Sequence, residues 1–344
     1  MLRKVQPAGL RINILLMVAS LFLGLLTCEI VARQFLPAYN PEGAFKGFQV
    51  TKNEGLLLGI PNTTSRDFRQ GNDDFNVVVH INQDGFRDSK DLRTAKDTDW
   101  FLVGDSFAFG SGIPEGLRFG DLIEKRWHVP VYNLALPGAD FRIYKRYLGY
   151  ARNKSGITPR NLIVMVCMQN DIKLYSVEKN IAFEPGLLGW IKRGLARHSA
   201  LYNVSANFLH SRAALERFAK RMRLVKEKTP RHPENILGTN AIADSVSLLV
   251  EIAKRSENSF IVLVPAKNYW SGKYQDYTRE VHSLFVSALA VSGVRFIDLK
   301  GAFETGGGSP LDYYFKVDSH MNLKGQIKAA DYVDAILSQA AKTR

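Results

Sequence analysis

Cysteine is nearly missing from this chain: only Cys28 and Cys167 occur in 344 residues. One lies in an apolar N-terminal segment and the other in a run that reads as a buried strand, so no disulfide is expected between them. No cysteines and histidines gather at metal-ligand spacing, which leaves a structural zinc unsupported. Cofactor motifs are missing as well. A phosphate loop lacks its lysine, and Gly-x-Ser-x-Gly is broken by Ala108. Thr27 before Cys28 is wrong for lipoprotein processing. Broad positive charge is lacking despite a formal +13. The excess sits in two places. Arg3, Lys4 and Arg11 open the chain without an acid, and residues 186–232 hold eleven Lys or Arg against Glu216 and Glu227. The remainder is close to neutral, so no nucleic-acid partner is expected, and no cofactor either.

What is present begins with one long apolar run. Ile12 to Cys28 carries no charge and is interrupted only by Asn13, Ser20 and Thr27; reading on to Ala32 gives the length of a bilayer-spanning helix. A cleaved signal peptide competes with an anchor, but no Ala-x-Ala-like sequence precedes Glu29. Three positive charges on the N-terminal side favour that end staying in the cytoplasm. The expected organisation is a basic tail over 1–11, a transmembrane anchor over 12–32, a linker and small β appendage over 33–90, and a main domain over 91–344. The appendage contains the β-like run Phe75 to Ile81 and an Asp84-Gly85 turn signal.

In the main domain, apolar runs at Trp100–Val103, Val129–Leu134, Leu162–Cys167, Phe260–Val264 and Val294–Leu299 are hydrophobic throughout, as strands covered on both faces are. Helical stretches at Phe119–Arg126, Phe141–Ala151, Ala241–Lys254, Tyr277–Ala290 and Leu323–Ala341 separate or follow them. The alternation predicts a doubly wound α/β sheet of about five strands. Residues 172–240 interrupt it as a helical insertion. There Leu215, Phe218, Met222 and Val225 form an amphipathic stripe among arginines and lysines. A solvated charged face, a substrate-facing cap and a surface against anionic lipid headgroups all fit that pattern.

Four pieces at or beyond strand ends carry chemistry. Gly104-Asp105-Ser106 puts a serine past the first core strand, where a helix start would aim amides at a developing anion. Asn133 to Gly138 closes the second strand with a glycine whose amide can approach a substrate. Gln169-Asn170-Asp171 sets a neutral amide donor after the third. Asp318-Ser319-His320 supplies an imidazole that ordinarily titrates near neutral pH, with a carboxylate to orient it. The other histidines, His80, His128, His198, His210, His232 and His282, lack a strand-end context and are read as surface or core residues. A serine, a base and preorganised oxyanion donors are the parts of acyl transfer.

Taken together the chain resembles the SGNH (GDSL-type) hydrolase superfamily, whose four blocks supply Ser, Gly, Asn and His in this order. The resemblance spans about residues 75 to 340 and maps onto Ser106, Gly138, Asn170 and His320. It includes the Asn82-x-x-Gly85-Phe86-Arg87 lead-in found in membrane-anchored bacterial members. It implies a flavodoxin-like three-layer sandwich, Ser106 as nucleophile, His320 as base, and an oxyanion hole of the Ser106 and Gly138 amides with the Asn170 side chain. The commoner pattern puts the acid three residues before the histidine, where Val317 stands. Asp318, two before, is similar to the Asp-x-His form of members associated with polysaccharide acetylation. Met168 also replaces the usual small residue before the asparagine. The implied function is a membrane-anchored serine esterase acting on acyl esters, acetyl above all, of a carbohydrate or envelope polysaccharide. Its implied location is the bacterial inner (cytoplasmic) membrane, single-pass, with the catalytic domain periplasmic or otherwise extracytoplasmic. A polysaccharide O-acetyltransferase using the same residues, and a non-catalytic glycan-binding or scaffold protein, are the alternatives.

Overall fold

The five apolar runs form one parallel sheet. In this computed structural model, which describes residues 7–36, 39, 48–50, 55–68, 74–175, 187–211, 234–237, 240–305 and 307–342, the core strands are β5 (Trp100–Val103), β6 (Val131–Asn133), β7 (Asn161–Cys167), β8 (Asn258–Val264) and β9 (Phe296–Asp298). Their order across the sheet is β6-β5-β7-β8-β9, and every pairing is parallel. Renumbered within the sheet this is 2-1-3-4-5, the flavodoxin-like doubly wound order. Leu162 to Cys167 are completely buried, because helices cover both faces and leave no solvent side to alternate toward.

The helices α3 (Phe119–Trp127) and α9 (Leu323–Lys342) pack together and form one outer layer, tied by Trp127 Nε1 donating to Asp334 at 2.9 Å and by Phe119 N donating to Gln326 Oε1 at 2.7 Å. The other layer holds α4 (Phe141–Ser155), α7 (Ala241–Ala253) and α8 (Gln275–Val291). Asp140 starts α4 as its N-cap, accepting from the amides of Arg142 and Ile143, and Gly156 ends it in a left-handed conformation.

Before β5, strands β1 (Phe48–Val50) and β2 (Leu57–Gly59) pair antiparallel, as do β3 (Thr63–Phe68) and β4 (Asn76–Ile81). These short strands belong to the same compact unit as the sheet, which covers 45–68, 73–181 and 229–344.

A second compact unit comprises 1–44, 69–72 and 182–228. It contains α1 (Pro7–Phe35), α5 (Leu187–His198) and α6 (Ala200–Ser211). Ile12–Phe35 within α1 contains an 18-residue window of mean hydropathy 2.4 and is long and apolar enough to cross a membrane. The stripe Leu215, Phe218, Met222 and Val225 lies outside the described residues.

Candidate active site

Ser106 is the first residue of a single-turn helix, α2 (Ser106–Phe109), that follows β5 after two residues. The turn is tight enough to demand glycine at 104, where a Cβ would lie 2.5 Å from the Ala108 side chain and 3.0 Å from the Met165 carbonyl. Asp105 caps the helix by accepting from Phe107 N at 2.9 Å. Asn133 braces it from β6, donating from Nδ2 to Ala108 O at 2.9 Å.

Ser106 Oγ lies 2.7 Å from His320 Nε2, and the other ring nitrogen, Nδ1, meets Asp318 Oδ1. Ser106 and His320 are both buried. With Nδ1 carrying its proton toward the carboxylate, Nε2 is left as the acceptor for the serine hydroxyl. The Phe107 ring lies against the imidazole, centroids 4.8 Å apart, and fixes its plane.

The two-residue step from Asp318 to His320 works because the segment curls back. Asp318 Oδ1 accepts His320 N at 2.9 Å as well as the ring N–H, an Asx-type turn. The loop is gripped from outside. Lys267 Nζ donates to the carbonyls of Phe315 at 2.6 Å, Lys316 at 2.9 Å and Asp318 at 3.2 Å. Asp74 accepts the amides of Val317 at 2.9 Å and Asp318 at 2.6 Å. Phe315 N also donates to His320 O at 3.0 Å, closing the base of the loop.

Asn170 follows β7, the neighbour of β5, and its Nδ2 donates to Asp105 Oδ2 at 3.2 Å. One N–H of the amide is thereby fixed to the serine loop, leaving the second for another acceptor. Gly138 follows β6, on the other side of β5. It stands in the Leu136–Ala139 turn, exposed, at φ +80° with open space where a Cβ would be. Pro137-Gly138 at the centre and that φ match a type II turn, so glycine is required there by conformation. The structure thus joins Ser106, His320 and Asp318 directly and ties Asn170 to them through Asp105. Gly138 is a neighbour by strand order.

Behind the serine sits a buried acidic pair. Burial raises the Asp105 carboxyl above its ordinary range. Burial and the proximity of Asp105 raise Asp171 much further. Asp171 Oδ2 accepts from Cys167 N at 2.9 Å and Tyr144 OH at 3.0 Å, while among the described residues Oδ1 has no hydrogen-bond partner. Burial also raises the Cys167 thiol well above its usual range, which keeps it neutral.

No protein-family model and no curated protein sequence matches the chain. Among solved structures it is similar to a member of the lipolytic protein G-D-S-L family from Veillonella parvula DSM 2008, at 12% identity and a TM-score of 0.43, over 70% of this chain and 98% of that one. A lipase/acylhydrolase from Enterococcus faecalis gives 13% and 0.41, over 71% and 97%. A carbohydrate esterase whose active site displays divergent catalytic and non-catalytic binding functions gives 13% and 0.37, over 71% and 66%. The first is of the lipolytic G-D-S-L family, the second a lipase/acylhydrolase and the third a carbohydrate esterase, all at low identity. The chemistry of the present chain rests on its own side chains.

Sequence reasoning gave no role to four groups that shape the site: Asp74, Lys267, Asn133 and Asp105. Asp105 and Asn133 stand inside the first and second blocks, whereas Asp74 and Lys267 carry no motif and reach the loop from hundreds or tens of residues away. His282, read from the sequence as a surface or core residue, is a core one: it is buried against Asp298, its Nε2 2.7 Å from Oδ2. The pair forms because α8 packs beside the end of β9.

Proposed function

We propose that this chain is an exported, membrane-tethered serine esterase of SGNH type, acting on acyl esters, foremost acetyl esters, of a carbohydrate or envelope polysaccharide. The observation that carries the reading is the continuous contact from Ser106 Oγ through His320 to Asp318. Ser106 attacks the acyl carbonyl as its proton passes to His320 Nε2, and Asp318 stabilises the imidazolium. The oxyanion is received by the amides of Ser106 and Gly138 and by the Asn170 side chain. The proton then goes from Nε2 to the departing sugar oxygen. This leaves an acyl-serine, which water opens by the reverse sequence.

The strand order supports this use of the residues. Ser106 and Asn170 follow β5 and β7, the pair at which the winding reverses, where open α/β sheets bind their ligands. The acetyl and carbohydrate parts follow from the resemblance of the Asp-x-His block. Tethering follows from the apolar span Ile12–Phe35.

The test uses the full-length chain in detergent with a chromogenic acetyl ester. Ser106→Ala is expected to lower kcat by roughly a thousandfold or more; equal turnover by the two proteins would remove Ser106 from the mechanism. Adding a glycan acceptor separates the outcomes of the second step. Free acid alone marks a hydrolase, and acylated glycan marks an O-acetyltransferase with the same residues.

A further inference from the structure

We infer that α5 lies in the headgroup region of the bilayer that α1 spans, its apolar face in contact with lipid; the inference rests on the reading of α1 as an uncleaved anchor.

The face itself is the first observation. Leu187 is 75% exposed, Leu188 73% and Trp190 68%, and Ile191 and Leu195 are exposed as well. Leu187, Leu188, Ile191 and Leu195 recur at spacings of one, three and four, which places them on one side of a helix. Twelve residues bearing this much bare apolar surface cannot be a solvated helix without cost. The sequence of α5 also carries Lys192, Arg193 and Arg197 and no acid. Apolar residues with tryptophan, combined with basic ones, are the composition of helices that lie in the membrane plane.

The second observation fixes the depth. The Glu29 carboxylate of α1 accepts from Ser199 Oγ at 2.8 Å and from the amides of Ala200 and Leu201 at 2.9 Å each. Arg33 completes the joint, donating to Glu29 at 2.7 Å and to the His198 carbonyl at 2.7 Å. Glu29 therefore caps the start of α6 and Arg33 the end of α5. A hydrocarbon core takes about 20 residues of helix, so a span starting at Ile12 leaves its apolar zone near Glu29. A carboxylate at that level needs partners, and the α5–α6 corner supplies them. The corner is thereby held at the boundary between acyl chains and headgroups. With α5 in the membrane plane, Trp190, two turns back along it, stands at the depth where tryptophan is enriched.

The test reconstitutes the full chain into vesicles of phosphatidylcholine and phosphatidylglycerol, with and without lipid brominated near the glycerol end of its acyl chains. The four tryptophans of the chain are Trp100, Trp127, Trp190 and Trp270, and α1 contains none. Brominated lipid should quench part of the fluorescence, and Trp190→Phe should abolish the quenchable part. An alkaline carbonate wash is run alongside. Release from the vesicles would sink the anchor reading and this inference with it. Retention with quenching unchanged by Trp190→Phe, or without quenching, would overturn this inference alone. A Trp190 emission that shifts with protein-to-lipid ratio rather than with bromination would assign the face to a second copy of the chain.

Discussion

Asp318 shows how a single residue can break a spacing rule and still be delivered to its target. Its carboxylate reaches His320 because Lys267 and Asp74 pull the loop from two sides, one through carbonyls and the other through amides. Neither touches the reacting atoms, so both are positioning residues. Lys267→Met is expected to lower kcat about tenfold to a hundredfold with KM nearly unchanged, since small misplacements of a catalytic group are expensive. Lys267→Arg should recover part of the loss. Steady-state kinetics of the three proteins checks it, and a change in KM alone would count against the assignment. Asp171 gives a pH-dependent expectation. Its folded carboxyl titrates well above an unfolded aspartate because it is buried beside Asp105. The stability it contributes is complete below the unfolded pKa of about 4 and is lost as pH rises toward the folded value. Its contribution to the melting temperature should therefore fall from pH 4 upward, and Asp171→Asn should remove that component of the pH slope. Identical slopes would show that Asp171 stays ionised in the fold.

Secondary elements were the most legible level, because period and length carry them. All five core strands and their covering helices follow the apolar runs closely: Phe141–Ala151 was expected and Phe141–Ser155 is found. The candidate serine, histidine, aspartate and asparagine were also readable, since each stands at or beyond a strand end. The supports between elements were not readable. Arg87 is the clearest case, a residue type that is almost always at the surface yet is here completely buried. Its guanidinium donates to the carbonyls of Gly110 and Ile113 at 2.7 Å each, Phe109 at 3.2 Å and Val78 at 3.3 Å. It thus ties the segment after α2 to β4. Burial and the nearby Arg118 lower its pKa to about 10, so it remains charged at neutral pH. Arg87→Ala removes a charged donor from four carbonyls and should cost about 3 kcal/mol, read from the denaturant midpoint. A loss below about 1 kcal/mol would show that water replaces the guanidinium.

At the scale of the molecule, the sequence separated a nearly neutral main body from two basic regions, and the structure divides into two compact units of its own. Composition could not foretell that the apolar N-terminal helix and part of the insertion belong to one unit. Their joint is made by Glu29 and Arg33, charges that look like the frayed end of a span. The sheet order brings together residues that the chain keeps apart: Ser106 and His320 are 214 positions from each other. Contacts of such long range are among the last to form, because loop closure must come first. On the proposed reading of an exported enzyme, the ribosome and the export machinery therefore handle an inert serine, armed only when the folded sheet has brought His320 back to it.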